Sequence, residues 1–172
     1  MIDLNSGKLY VCCGAPGSGK STFLSDIKDP NEVIVSRDKI RFSLIKPGEE
    51  YFSHEKEVYS KFLDEITKNI RKGVDVYADA THLTPRSRYL LLSQLKKHGC
   101  RPSEVHAIYF KVPLNICKER NELRKGTLAY VPEESLENMY CKFIPPTKAE
   151  DFYSIWEVDA DGDISLIYED EY

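Results

Sequence analysis

One stretch constrains this chain more than any other: Gly14-Ala15-Pro16-Gly17-Ser18-Gly19-Lys20-Ser21. An apolar run, "KLYVCCGA" at 8–15, leads into it, and a helical pattern at 19–27 leads out of it. The spacing G-x-x-x-x-G-K-[ST] is filled at every position, between a strand and a helix, which is the setting that phosphate-binding loops need. Its glycines let successive backbone N–H groups turn inward around a phosphate, and the helix N-terminus adds positive potential at the same spot. Gly14 to Ser21, with Thr22 next to them, are therefore expected to cradle a nucleoside triphosphate. Lys20 would bridge the β- and γ-phosphates as a point charge, and the Ser21 hydroxyl would coordinate Mg²⁺.

The rest of the chain narrows the class. At 172 residues, 41% apolar and 30% charged, it reads as one globular domain over 1–172. Its start, "MIDLNSGKLYV", lacks the basic-then-apolar pattern of a secretory leader. No run approaches the roughly 18 apolar residues of a membrane span. Five cysteines without regular spacing, two of them adjacent at Cys12 and Cys13, predict reduced thiols and a cytoplasmic protein. The net charge of −4 seems to disfavour a polyanionic partner, but seven acids and no Lys or Arg are concentrated at 157–172. The window from Arg86 to Lys125 holds ten basic residues against three acids, so a local basic face is compatible with the acidic total.

Apolar β-branched runs alternate with amphipathic stretches. Strands are predicted at 8–15, 32–37, 74–80 and 105–112, and helices at about 19–27, 54–72, 84–98, 113–124 and 132–143. Thr84-Pro85 is a cap followed by proline at the first helical position, and Gly73 and Gly99 sit just past helix ends. The tail "SIWEVDADGDISLIYE" reads as a hairpin turning around Asp161-Gly162; for calcium it lacks flanking helices and a placed glutamate. The sum is a three-layer α/β sandwich around a parallel core sheet, with a C-terminal edge hairpin.

Three further segments carry candidate chemistry. Asp38, in "VIVSRDKIR", falls at the carboxyl end of the second strand, where α/β sheets build their sites. Phosphoryl transfer needs an acceptor for the proton of the attacking hydroxyl, and a carboxylate there is well placed. Arg41 lies one helical turn on, so both side chains can face one cleft. Asp79 ends the apolar run "VYADA"; a buried acid needs a metal, a hydroxyl or an arginine, and Arg41 is the expected partner. Arg120 and Arg124 are four apart in "CKERNELRKGT", with Gly126 as a hinge, so a lid over about 118–131 could bring them onto the triphosphate. Loop chemistry alone also fits a switch protein or a motor. The base-reading N-K-x-D of a GTPase and the strand-ending Asp-Glu of motor ATPases are both absent, which leaves a kinase.

Together the segments "GAPGSGKST", "SRDKIR", "ADATHL", "VPLNICKERNELRKGT" and "YVPEESLENMY" resemble the kinase domain of polynucleotide 5′-hydroxyl kinases from phage and bacterial RNA-repair systems. The resemblance runs from about Leu9 to Tyr140. It implies an adenylate-kinase-like P-loop fold with five core strands, ATP and Mg²⁺ as cofactors, and 5′-hydroxyl ends of DNA or RNA as acceptors. It also implies Asp38 as general base, Arg41 holding the acceptor phosphate, Asp79 orienting Arg41, and Arg120 and Arg124 gripping the triphosphate. A ligase or phosphatase would be a separate partner. The family often has Asn where this chain has His82; the histidine reads as a turn residue with a solvated ring, with contact to the substrate as the alternative. Two other readings stand beside it: a P-loop kinase of a small molecule (nucleoside, sugar or antibiotic), and a nucleotide-binding regulatory module with no acceptor.

Overall fold

A computed structural model describes residues 5–171. Six strands form one sheet in the order β2-β3-β1-β4-β5-β6. They are β1 (Leu9–Cys13), β2 (Val33–Ser36), β3 (Val76–Asp79), β4 (Val105–Phe110), β5 (Ser154–Val158) and β6 (Ile164–Glu169). The first five run parallel and β6 closes the edge antiparallel to β5. The helices are α1 (Lys20–Ile27), α2 (Arg37–Leu44), α3 (Glu55–Arg71), α4 (Pro85–Lys97), α5 (Leu114–Glu122) and α6 (Glu133–Lys142).

Alternation along β1 sorts the core into two layers. Leu9, Val11 and Cys13 face a cluster built with Val58, Phe62, Ile66 and Ile70 of α3 and Leu91 and Leu95 of α4. Cys12 faces the opposite layer, with Leu24 of α1, Ile108 and Phe110 of β4 and Cys117 of α5. Adjacent strand residues point to opposite faces, and the two cysteines do so here. All five cysteines are free thiols. Burial pushes the Cys13 thiol up to about 12.

Local chemistry accounts for most element ends. At α4, the Thr84 side chain accepts from the Ser87 N–H while Ser87 Oγ accepts from the Thr84 N–H, with Pro85 following the cap. Gly162, with φ 86°, turns the terminal hairpin. The acids there serve the turn: Asp159 carboxylate accepts from the N–H groups of Asp161 and Asp163. One helix was not anticipated. The run predicted as a strand to residue 37 ends at Ser36, whose hydroxyl accepts from the Lys39 N–H and starts α2. Asp38 therefore lies in the first turn of a helix, where its negative charge suits the N-terminal dipole, and not at the strand end.

Candidate active site

Register places the site. Cys12, Asp79 and Ser36 are paired across β1, β3 and β2, so these three strand ends form one edge. The phosphate loop leaves β1 at that edge, Asp79 closes β3, and Asp38 follows β2 by two residues. They line one pocket of about 480 Å³, together with Arg41, Tyr51, Phe52 and Glu55.

In the loop, Gly17 and Gly19 take φ of 78° and 88°, in the left-handed region that glycine tolerates best. A Cβ on Gly17 would also meet the Cys117 carbonyl oxygen at 2.4 Å. Lys20 Nζ donates to the carbonyls of Gly14 (2.8 Å) and Ala15 (3.0 Å) and to Ser18 Oγ (3.4 Å). Burial lowers the Lys20 ammonium below its ordinary value, with Asp79 and Asp38 pulling the other way. Pro16, Gly17, Gly19, Lys20 and Ser21 line the pocket, while Thr22 is exposed just beyond.

Asp79 has a hydroxyl as its partner. Ser21 Oγ donates to Asp79 Oδ2 at 2.7 Å. This corrects the expected Asp79–Arg41 pair: among the described residues Arg41 makes its ion pairs with Asp38 and Glu55. The reason is topological. Arg41 lies on the α2 face that packs against α3, where Glu55 reaches it first. Burial raises Asp79 above the usual carboxylate range, against the pull of Lys20 and the Ser21 hydrogen bond. A hydroxyl and a carboxylate side by side are hard oxygen donors of the kind Mg²⁺ takes. No group of three or more His, Cys, Asp or Glu among the described residues could hold a metal.

Beside the phosphate loop the pocket holds a compact polar network. Arg41, 6% exposed, donates from Nε and Nη2 to the two oxygens of Glu55, and from Nη1 to Asp38 Oδ1 and to the Tyr51 hydroxyl. Four of its five N–H groups are thus engaged. The Tyr51 hydroxyl in turn donates to Asp38 Oδ1 at 2.9 Å. Both contacts fall on one oxygen, so among the described residues Asp38 Oδ2 has no hydrogen-bond partner. Burial opposes the Glu55 carboxylate, but Arg41 and Arg37 outweigh it and hold its pKa below the usual value. Sequence reasoning missed Tyr51, Phe52 and Glu55, because they come from a connecting segment and a helix start that carry no motif.

The two lid arginines separate. Helix α5 ends at Glu122, so the helical spacing that would align Arg120 with Arg124 stops short. Arg124 lines the pocket. Arg120 packs over Gly19 and donates to the Ala160 carbonyl at 2.9 Å, which places it at the pocket's margin beside the terminal hairpin. Asn121, 1% exposed, bonds both the N–H and the carbonyl of Val131 and so ties the two ends of the intervening segment. His82 is also not as expected. It is buried with φ 40°, its Nδ1 lies 2.7 Å from the Cys12 carbonyl, and burial lowers its pKa to about 4. It lies under an adjoining groove of about 440 Å³ that Arg37 shares with the main pocket. Arg37 Nε is buried there without a hydrogen-bond partner.

Residues 9–146 match the family described as AAA domain. The chain belongs to that family. Its fold is that of P-loop kinases. No curated protein sequence matches it. Among solved structures it is similar to a chain of the Pnkp1/Rnl/Hen1 RNA repair complex, with TM-score 0.65 and 23% identity over 80% of this chain and 44% of that one. A fungal RNA kinase gives TM-score 0.63 at 14% identity, covering 91% of this chain and 76% of that one. A sugar kinase from Janibacter sp. HTCC2649 gives 0.62 at 16%, covering 92% and 87%. The chain thus spans less than half the length of the repair-complex chain it matches. Identities this low show a shared fold and leave the acceptor open. No helix among the described residues is long and apolar enough to cross a membrane.

Proposed function

We propose that this protein transfers the γ-phosphate of ATP to the 5′-hydroxyl end of DNA or RNA. The observation that carries the reading is Asp38: a carboxylate with one oxygen pinned by Arg41 and Tyr51 and the other without a partner among the described residues, in the same pocket as the phosphate loop. The acceptor oxygen attacks the γ-phosphorus, the bond to the bridging oxygen breaks, ADP leaves, and Asp38 Oδ2 takes the hydroxyl proton. Mg²⁺ held at Ser21 and Asp79 would neutralise charge on the phosphates. Lys20 and Arg124 stabilise the transferred group, and such cations are worth a large part of the rate in this chemistry. Likeness to a chain of an RNA repair complex and to a fungal RNA kinase supports a polynucleotide acceptor.

One observation favours a small-molecule acceptor instead. With four N–H groups engaged, Arg41 has one left for an acceptor phosphate, so its first role here is to brace Asp38. The likeness to a sugar kinase points the same way. Transfer of labelled phosphate from ATP to 5′-hydroxyl oligonucleotides, alongside nucleosides and sugars, separates the two. We expect label on the oligonucleotides, lowered about 10²–10⁴-fold in Asp38→Asn. Label confined to a sugar or nucleoside would reject the end-kinase reading. ATP binding without transfer to any acceptor would leave a regulatory module.

A further inference from the structure

The acceptor half of the pocket holds a ring that the fold does not use. Phe52 is 63% exposed, yet it lines the pocket and is held in place. Its ring meets Tyr51 edge to face, with centroids 4.6 Å apart at 86°. Tyr51 is fixed in turn: the Arg41 guanidinium lies 4.5 Å from its ring centroid, and its hydroxyl bonds both Arg41 and Asp38. The network that sets the Asp38 carboxylate therefore also sets where the Phe52 ring stands. The same pocket is also lined by Tyr130, Val131, Pro132 and Met139. An exposed aromatic ring at a fixed place beside Asp38, in a pocket that also holds Tyr130, Val131, Pro132 and Met139, suits a flat π-system. Every nucleobase has one, and such stacking tolerates any sequence.

We propose that Phe52, anchored by Tyr51, is the platform on which the terminal nucleobase of the acceptor stacks. This inference rests on the end-kinase reading and names the group that distinguishes its acceptor from a sugar. The test measures kcat and KM of the full chain for a 5′-hydroxyl oligonucleotide and for the same strand with an abasic 5′-terminal residue. The variants are Phe52→Ala and Phe52→Trp. Phe52→Ala is expected to raise KM for the normal strand about tenfold, the range of one lost base stack. Its KM for the abasic strand should stay within about twofold of wild type, and Phe52→Trp should keep the normal value. Melting of Phe52→Ala should match wild type, because the ring is exposed. Equal KM for the normal strand in wild type and Phe52→Ala, or an equal loss on both strands, would overturn the platform and leave the end-kinase reading intact. A wild-type protein that labels no oligonucleotide would overturn that reading first, and the platform with it.

Discussion

His82 shows how much one residue's surroundings alter its meaning. Its φ of 40° lies in the region where most side chains are strained and where Asn, Asp and His are among the better tolerated. Its ring is neutral in the fold, the proton on Nδ1 being donated to the Cys12 carbonyl. Burial depresses its pKa from 6.5 to about 4. A histidine with a depressed folded pKa supplies stability that is full above its unfolded pKa and is lost as pH falls from 6.5 towards 4. A shift of that size amounts to about 3 kcal/mol. His82→Asn should fold and should lose less stability than wild type between pH 7 and 4, as read by urea melts at stepped pH. Parallel pH profiles for the two proteins would refute the assignment. In the fold its ring hydrogen bond goes to the backbone at the end of β1.

At the scale of elements, the phosphate loop is held by what packs around it. The Cys117 carbonyl of α5 stands 2.4 Å from where a Gly17 Cβ would sit, so α5 and the loop are in backbone contact. Gly17→Ala combines a left-handed φ of 78° with that clash. We expect it to reduce ATP affinity at least tenfold, by equilibrium binding, and to cost about 2 kcal/mol or more of stability. Wild-type ATP affinity in this variant would show that the loop can move off α5 without penalty. Helix α5 also carries Arg120 and leads into the segment that holds Arg124. Asn121 then decides how the segment leaves and returns, by clasping Val131. A short helix, α2, does the corresponding work on the acceptor side, since its first turn aims Asp38 and its next turn aims Arg41.

At the scale of the whole molecule, two features stand out. Arg88 of α4 is 1% exposed and donates to both oxygens of Glu150, 62 residues on, and to the His82 carbonyl. It thereby fastens the turn after β3 to the segment before β5. Removing one partner of such a pair costs about 3–5 kcal/mol, because the other is left partly buried and uncompensated. Arg88→Met should lower Tm by about 10 °C in a chain of this size; a shift under 2 °C would mean that the pair adds nothing net. The second feature is the acidic tail. Exposed Ile164, Leu166 and Ile167 lie on the edge strand β6, and acids cluster at both of its ends. Charge beside an exposed edge keeps it from pairing with other chains. The net charge of −4 thus reflects the sheet edge and carries no message about the acceptor.

The sequence by itself determined the phosphate loop, the α/β layering, the strands of the core and the terminal hairpin. These depend on local rules: residue spacing, a period of two or 3.6, and glycine or proline at defined places. It also singled out Asp38, Arg41, Asp79 and Arg124, because acids and arginines next to strand ends or after a helix are conspicuous against an apolar background. Only the tertiary structure decided who meets whom. Register set Asp79 beside Ser21, the packing of α2 on α3 gave Arg41 to Glu55, and the end of α5 parted Arg120 from Arg124. Tyr51 and Phe52 gained their places from contacts across the fold, and no spacing rule marks them. Side-chain pairing in a site is a matter of distance in space, and linear spacing constrains it only within a single element.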